Sequence, residues 1–168
     1  MPAERRHVAL PVRPGAAFET QSGLQASWPQ VYGVLTSPPG AKHAAVVMHP
    51  ASNFMNHYLF EPLWERGIAL LGLNSRYYGG DQTLIMERVI QDLGAGVKFL
   101  REQGYRSVTL IGNSGGAGLV AFYQSQAERL TVHDTPAGDP VEILPEDLPP
   151  ADGVALCAGH PGRRVVHR

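Results

Sequence analysis

The sequence predicts an α/β fold, a mostly parallel sheet with helices on both faces. Two observations carry this. Four short apolar runs, at residues 44–49, 68–73, 107–111 and 153–159, have the continuous apolar character of strands buried on both sides. The stretches between the first three of them have helical spacing, a further helix follows the third, and the order from residue 44 onward is β-α-β-α-β-α-β. Strands that run parallel need such crossovers, because a tight hairpin can join only antiparallel neighbours.

The elements follow in chain order. Residues 1–27 hold little periodicity and read as an N-terminal extension, with Val8, Leu10 and Val12 alternating as in an edge strand. A domain is expected over 28–162 and a short tail over 163–168. Val31 to Thr36 reads as a strand, and Pro38-Pro39-Gly40 as the turn that ends it. Ala44 to His49 is the first buried run, broken by His49-Pro50-Ala51-Ser52-Asn53. Phe54 to Arg66 has apolar residues at 55, 59, 60 and 63, with Asn53 as N-cap and Gly67 as C-terminal cap. Ile68 to Leu73 is the next strand. In the long helix predicted over 84–103, Ile85, Val89, Leu93, Val97 and Leu100 form one stripe. Ser107 to Ile111 is a strand, and a helix runs from Gly116 to about Leu130. Residues 131–151, rich in Pro, Asp and Glu, read as a long surface connection. Gly153 to Gly159 reads as a last buried strand that encloses Cys157.

Composition narrows the classes of function. The chain has 168 residues, enough for one domain with a core, and its net charge is −1, which gives no reason to expect nucleic acid or an anionic membrane as partner. One cysteine excludes an internal disulfide framework. The N-terminus has no apolar signal-peptide core, and no run approaches membrane-span length. A cytoplasmic protein is the expectation. His49 and His57 do not have zinc-ligand spacing, so no metal and no cofactor are assigned.

The sharpest feature is Gly112-Asn113-Ser114-Gly115-Gly116, a G-x-S-x-G pattern between a strand and a helix. A serine on so sharp a turn has its Oγ pushed clear of the backbone. Small residues two before and two after it let strand and helix approach. The Gly115 N–H points to the same spot near the positive end of the helix, where an oxyanion would form. A glycine-rich turn with no catalytic role is the bland alternative. A nucleotide-binding loop is a poorer one, because the stretch has no P-loop lysine and its glycines do not give G-x-G-x-x-G.

With that elbow and the loop His49-Pro50-Ala51-Ser52-Asn53, the chain from about residue 28 to 160 resembles the α/β-hydrolase family. The resemblance implies a serine hydrolase acting on a small-molecule ester or related acyl substrate, with Ser114 as nucleophile. Esterase, thioesterase, peptidase and lactonase share the elbow. The first implied oxyanion donor is Gly115. The second is the Ala51 N–H, or failing that Ser52, with Pro50 standing where the family usually has glycine. His49 is expected to tie the oxyanion loop in place, and Asn53, Phe54, His57 and Tyr58 either line a pocket or belong to an ordinary helix start.

The family's acid and histidine follow later strands, and no strand pattern remains after Gly159 to hold them. The resemblance therefore implies a domain incomplete after the sixth strand: a fragment, an early stop or a frameshifted end. His160, at a strand end, is the best substitute base. Asp152 should lie at the far edge of the sheet from Ser114. His167 sits on a tail with no predicted structure, and Asp139, Glu142, Glu146 and Asp147 read as a solvated loop. The alternative function is a non-catalytic domain acting as an interaction module, an oligomer pairing through an exposed sheet edge.

Overall fold

The computed structural model describes residues 4–15 and 29–159. Six strands form one sheet: β1 (Arg5–Pro11), β2 (Gln30–Thr36), β3 (His43–His49), β4 (Ala69–Asn74), β5 (Ser107–Asn113) and β6 (Gly153–Cys157). Their order is β1-β2-β4-β3-β5-β6. β1 and β2 are antiparallel to their neighbours, and β4, β3, β5 and β6 run parallel. Three α-helices are described: α1 (Phe60–Glu65), α2 (Met86–Glu102) and α3 (Gly115–Glu128).

Alternation along the strands builds two cores. Ala44, Val46 and Met48 of β3 point to one face with Leu71, Leu73, Val108 and Leu110. There they meet Val89, Leu93, Val97 and Leu100 of α2 and Leu119, Val120 and Tyr123 of α3. Ala45 and Val47 point to the other face, with Leu70 and Ile111, and are covered by Phe54 and by Phe60 of α1. Val46, Leu71, Leu93 and Leu110 are wholly buried. Each such side chain is worth roughly 1.5–3 kcal/mol relative to exposure.

Three elements differ from expectation. α1 starts at Phe60, not Phe54, and Asn53 caps a turn instead, its Oδ1 accepting the Met55 N–H at 3.0 Å. The 131–151 connection is more than a surface loop, because Val141, Ile143 and Leu148 are buried in the larger core. Asp147 is fixed there, receiving Arg13 Nε at 2.8 Å and Gln91 Nε2 at 3.0 Å. Gly94 of α2 has no Cβ because the Asp147 carbonyl fills that position.

The third difference is β6. It is not a buried strand: Val154 is 41% and Leu156 59% exposed, and Cys157 is free and exposed rather than a core residue. An apolar run states that a strand has β character, not that it sits inside the sheet. Here β5 pairs with β6 on one side, and among the described residues nothing pairs with its other edge.

Register brings the candidate residues together. His49 of β3 pairs with Asn74 of β4, and Asn113 of β5 pairs with Cys157 of β6. All four lie at the carboxyl ends of parallel strands, where ligands bind in such sheets. Asp152 lies at the opposite end, its carboxylate accepting the Val108 N–H at 2.8 Å.

Candidate active site

Ser114 is the turn between β5 and α3. Its backbone sits at φ 55°, ψ −123°, a left-handed φ that costs a non-glycine residue about 1–3 kcal/mol and persists only where its surroundings enforce it. The enforcement is visible. Ser114 N–H donates to the Cys157 carbonyl at 3.0 Å, and the Ser114 carbonyl accepts the Ala117 N–H at 3.0 Å. A Cβ on Gly112 would lie 2.6 Å from Ala117 Cα, and one on Gly116 2.5 Å from the Met48 carbonyl oxygen. Only glycine at these two positions lets β3, β5 and α3 meet this closely. Ser114 stands at the N-cap of α3 but makes no side-chain capping bond, and the residue is exposed. Its hydroxyl is therefore presented outward rather than spent on the helix. Gly115 and Gly116 open the helix, and their N–H groups have no partner within it.

The loop from Pro50 to Leu59 lies over the carboxyl ends of the strands and is tied down at many points. Asn74 Oδ1 accepts the Phe54 N–H at 2.7 Å, and its amide donates to Asn53 Oδ1 at 3.1 Å. Ser75 Oγ donates to the Pro50 carbonyl at 2.5 Å. Behind this, Arg76 clamps the exit of β4 to α2, with its N–H, Nε and Nη2 donating to the fully buried Asp92 at 2.9, 2.8 and 2.6 Å.

His49, at the end of β3, and His57, in this loop, flank the elbow. His49 Nδ1 accepts the Ala51 N–H at 3.2 Å and the Ser52 N–H at 3.0 Å. Its other nitrogen faces the residue after Ser114, where a Cβ on Gly115 would lie 2.7 Å from His49 Nε2. His57 faces the residue before. Its Nδ1 accepts the Leu59 N–H at 3.3 Å, and its Nε2 lies 3.1 Å from the side-chain amide of Asn113. Tyr58 Oη lies 3.0 Å from the same amide. The Asn113 amide nitrogen donates to Tyr58 Oη and faces His57 Nε2. Burial lowers the pKa of His49 and of His57, so both favour the neutral form. Phe54 packs between the two, with ring centroids 5.4 Å from His49 and 4.8 Å from His57.

Of the residues singled out from sequence, Ser114, Gly115, His49 and Ala51 meet at this one edge. The Ala51 and Ser52 N–H groups, expected as oxyanion donors, instead point at His49 Nδ1. The imidazole acceptor stands two and three residues before these N–H groups, so the tight turn at Pro50 closes on it. His160 and the tail from 161 lie outside the described residues. Asp139, Glu142, Glu146 and Asp147 belong to the 131–151 connection, where Glu142 and Asp147 pair with Arg13. Among the described residues, no histidine is paired with a carboxylate, and no group of three or more His, Cys, Asp or Glu is placed to hold a metal. Nor is any described helix long and apolar enough to cross a membrane.

The sequence places Asn74 and Ser75 at a ligand-binding strand end, but assigns no specific role to them or to Asn113. Asn113 carried a usable signal, since it stands next to the nucleophile position. The other two act through a loop that folds back over them, and the sequence gives no sign of that. A cleft of about 420 Å³ lies between β1, α2 and Asp147, with none of the elbow residues in its lining.

This strand order and elbow define a class of fold, and solved structures agree with it. The chain has the α/β-hydrolase fold. It is similar to a candidate hydrolase from Agrobacterium vitis S4 (12% identity, TM-score 0.61, 94% of this chain and 54% of that one). It is also similar to an esterase from Pyrococcus furiosus (22%, 0.57, 74% and 46%). A dienelactone hydrolase from Anabaena variabilis ATCC 29413 gives 18%, 0.52, 74% and 58%. At these identities the likeness is one of fold. The chain spans about half the length of each of these proteins. No protein-family model and no curated protein sequence matches it.

Proposed function

We propose that this chain carries the nucleophile of a serine hydrolase acting on an ester or related acyl substrate. The observation that carries the reading is Ser114: a strained, exposed serine that leaves its own helix uncapped, beside the unpartnered N–H of Gly115. Ser114 Oγ attacks the substrate carbonyl, and the new C–O bond sends the carbonyl π pair onto oxygen. The Gly115 N–H receives that oxyanion, helped by the positive end of α3. The seryl proton passes to a base outside the described residues, for which His160 is the candidate. Collapse expels the alcohol with that proton, and water repeats the sequence on the acyl-enzyme. Losing one oxyanion donor in such a site costs roughly 3 kcal/mol of transition-state stabilisation. A serine without a positioned base is a weak nucleophile. The test is hydrolysis of p-nitrophenyl acetate with acyl-enzyme trapping. The reading expects an acetyl group on the peptide that contains Ser114 and none in Ser114→Ala. Turnover that survives Ser114→Ala would overturn it.

A second reading rests on a separate observation. β6 presents Leu156, 59% exposed, and Val154, 41% exposed, along an edge strand. A non-catalytic domain that associates through this edge would use them. Concentration-dependent association lost in Leu156→Lys, together with an unreactive Ser114, would favour that reading over the first.

A further inference from the structure

The second oxyanion donor is the open question in the proposed reaction, because the expected backbone groups are engaged elsewhere. Both Ala51 and Ser52 N–H point at His49 Nδ1, at 3.2 and 3.0 Å. Two N–H donors on one ring nitrogen require that nitrogen to be bare. The proton of the neutral imidazole is then fixed on Nε2. Nε2 is also the ring atom that abuts the elbow, 2.7 Å from where a Cβ on Gly115 would stand.

From this arrangement, and building on the serine-hydrolase reading above, we infer that His49 Nε2–H is the second oxyanion donor, paired with the Gly115 N–H. The geometry permits a shared acceptor. A residue's N and Cβ lie about 2.5 Å apart by covalent geometry, so His49 Nε2 is within roughly 5.2 Å of Gly115 N. Two donors that each sit about 2.9 Å from one oxygen can be up to about 5.8 Å apart. One oxyanion can therefore accept from both.

The loop contacts give the arrangement its rigidity. Ser75 Oγ holds the Pro50 carbonyl, Asn74 holds Phe54, and Phe54 stacks on the His49 ring. The donor is thus preorganised, which is what makes an oxyanion contact effective. Position 115 is glycine in this scheme because any side chain there would displace the ring.

This role makes a prediction that a purely structural histidine does not. Asparagine places its amide oxygen near the Nδ1 position and keeps the loop acceptor, but it loses the donor. Glutamine places its amide nitrogen near Nε2 and keeps the donor, but it loses the acceptor. The experiment is the second-order rate of Ser114 labelling by a fluorophosphonate, whose phosphoryl oxygen occupies the oxyanion position. It compares the wild-type chain with His49→Gln, His49→Asn and His49→Ala. Circular dichroism melts confirm that each is folded. The inference expects His49→Gln within about threefold of wild type, and His49→Asn and His49→Ala slower by about 100-fold. Asn equal to or faster than Gln, in folded variants of a chain that labels, would overturn the inference and leave the serine-hydrolase reading standing. A wild-type chain that does not label would end both.

Discussion

His49 and His57 are alike in most respects. Both belong to the β3–α1 segment, both accept backbone N–H groups on Nδ1, and burial lowers the pKa of each. They differ in what the other nitrogen meets. His57 Nε2 reaches the side chain of Asn113, the residue before Ser114, and that contact is complete within the protein. His49 Nε2 reaches the backbone at Gly115, the residue after it, and finds no side chain there. One histidine closes a protein contact, and the other holds a proton toward a space that a substrate can enter. Similar environments thus yield a structural clamp on one flank of the elbow and a chemical group on the other.

Substitutions test that contrast with graded effects. Ser114→Ala removes the proposed nucleophile that both histidines flank, and labelling and turnover should fall to background. Gly115→Ala comes next. Its methyl would press on His49 Nε2 at 2.7 Å, so labelling should slow by at least about 100-fold, with a loss of roughly 1–3 kcal/mol in a urea melt from overpacking. His57→Phe keeps the packing against Phe54 and removes the tie to Asn113. Labelling should slow by only about threefold to tenfold, because the contact positions the elbow without touching the reacting atoms. A loss as large as that of His49→Ala would erase the distinction drawn here. Tyr58→Phe removes one exposed hydroxyl, and stability should stay within about 0.5 kcal/mol of wild type.

Acid should act through both rings. A histidine whose folded pKa is depressed stabilises the fold fully above its unfolded value of 6.5, and loses that contribution as pH falls through the lower folded value. Protonation of His49 also places a proton on Nδ1, in conflict with the Ala51 and Ser52 N–H groups. The labelling rate should therefore hold through pH 6.5 and decline only as pH falls through the lower folded value of His49, and His57→Phe should leave most of that decline in place. A rate that stays flat at every acidic pH at which circular dichroism shows the chain folded would contradict it.

The parallel strands could be read from the sequence because each is a compact apolar run, and the elbow could be read because sterics restrict which residues flank such a serine. The placement of β6 could not. The run from Gly153 to Cys157 has the same character as β3, and only the sheet order reveals it as an edge among the described residues. Val141, Ile143 and Leu148 were hidden by the Pro, Asp and Glu around them, since polarity of composition does not reveal that three side chains turn inward. The site was half readable. Ser114 and Gly115 follow from local chemistry. The ties from Asn113 to His57 and from Asn74 to Phe54 depend on how far a loop folds back over neighbouring strands, which spacing along one chain does not encode.

The proposed reaction requires the fold to present Ser114 as a reactive nucleophile. Fluorophosphonate labelling of the purified chain, followed by peptide mapping with Ser114→Ala as control, tests it most directly. The expected result is a single adduct on Ser114 that disappears in the variant and on heat denaturation. A folded chain that takes up no label, or takes it up equally without Ser114, would contradict it.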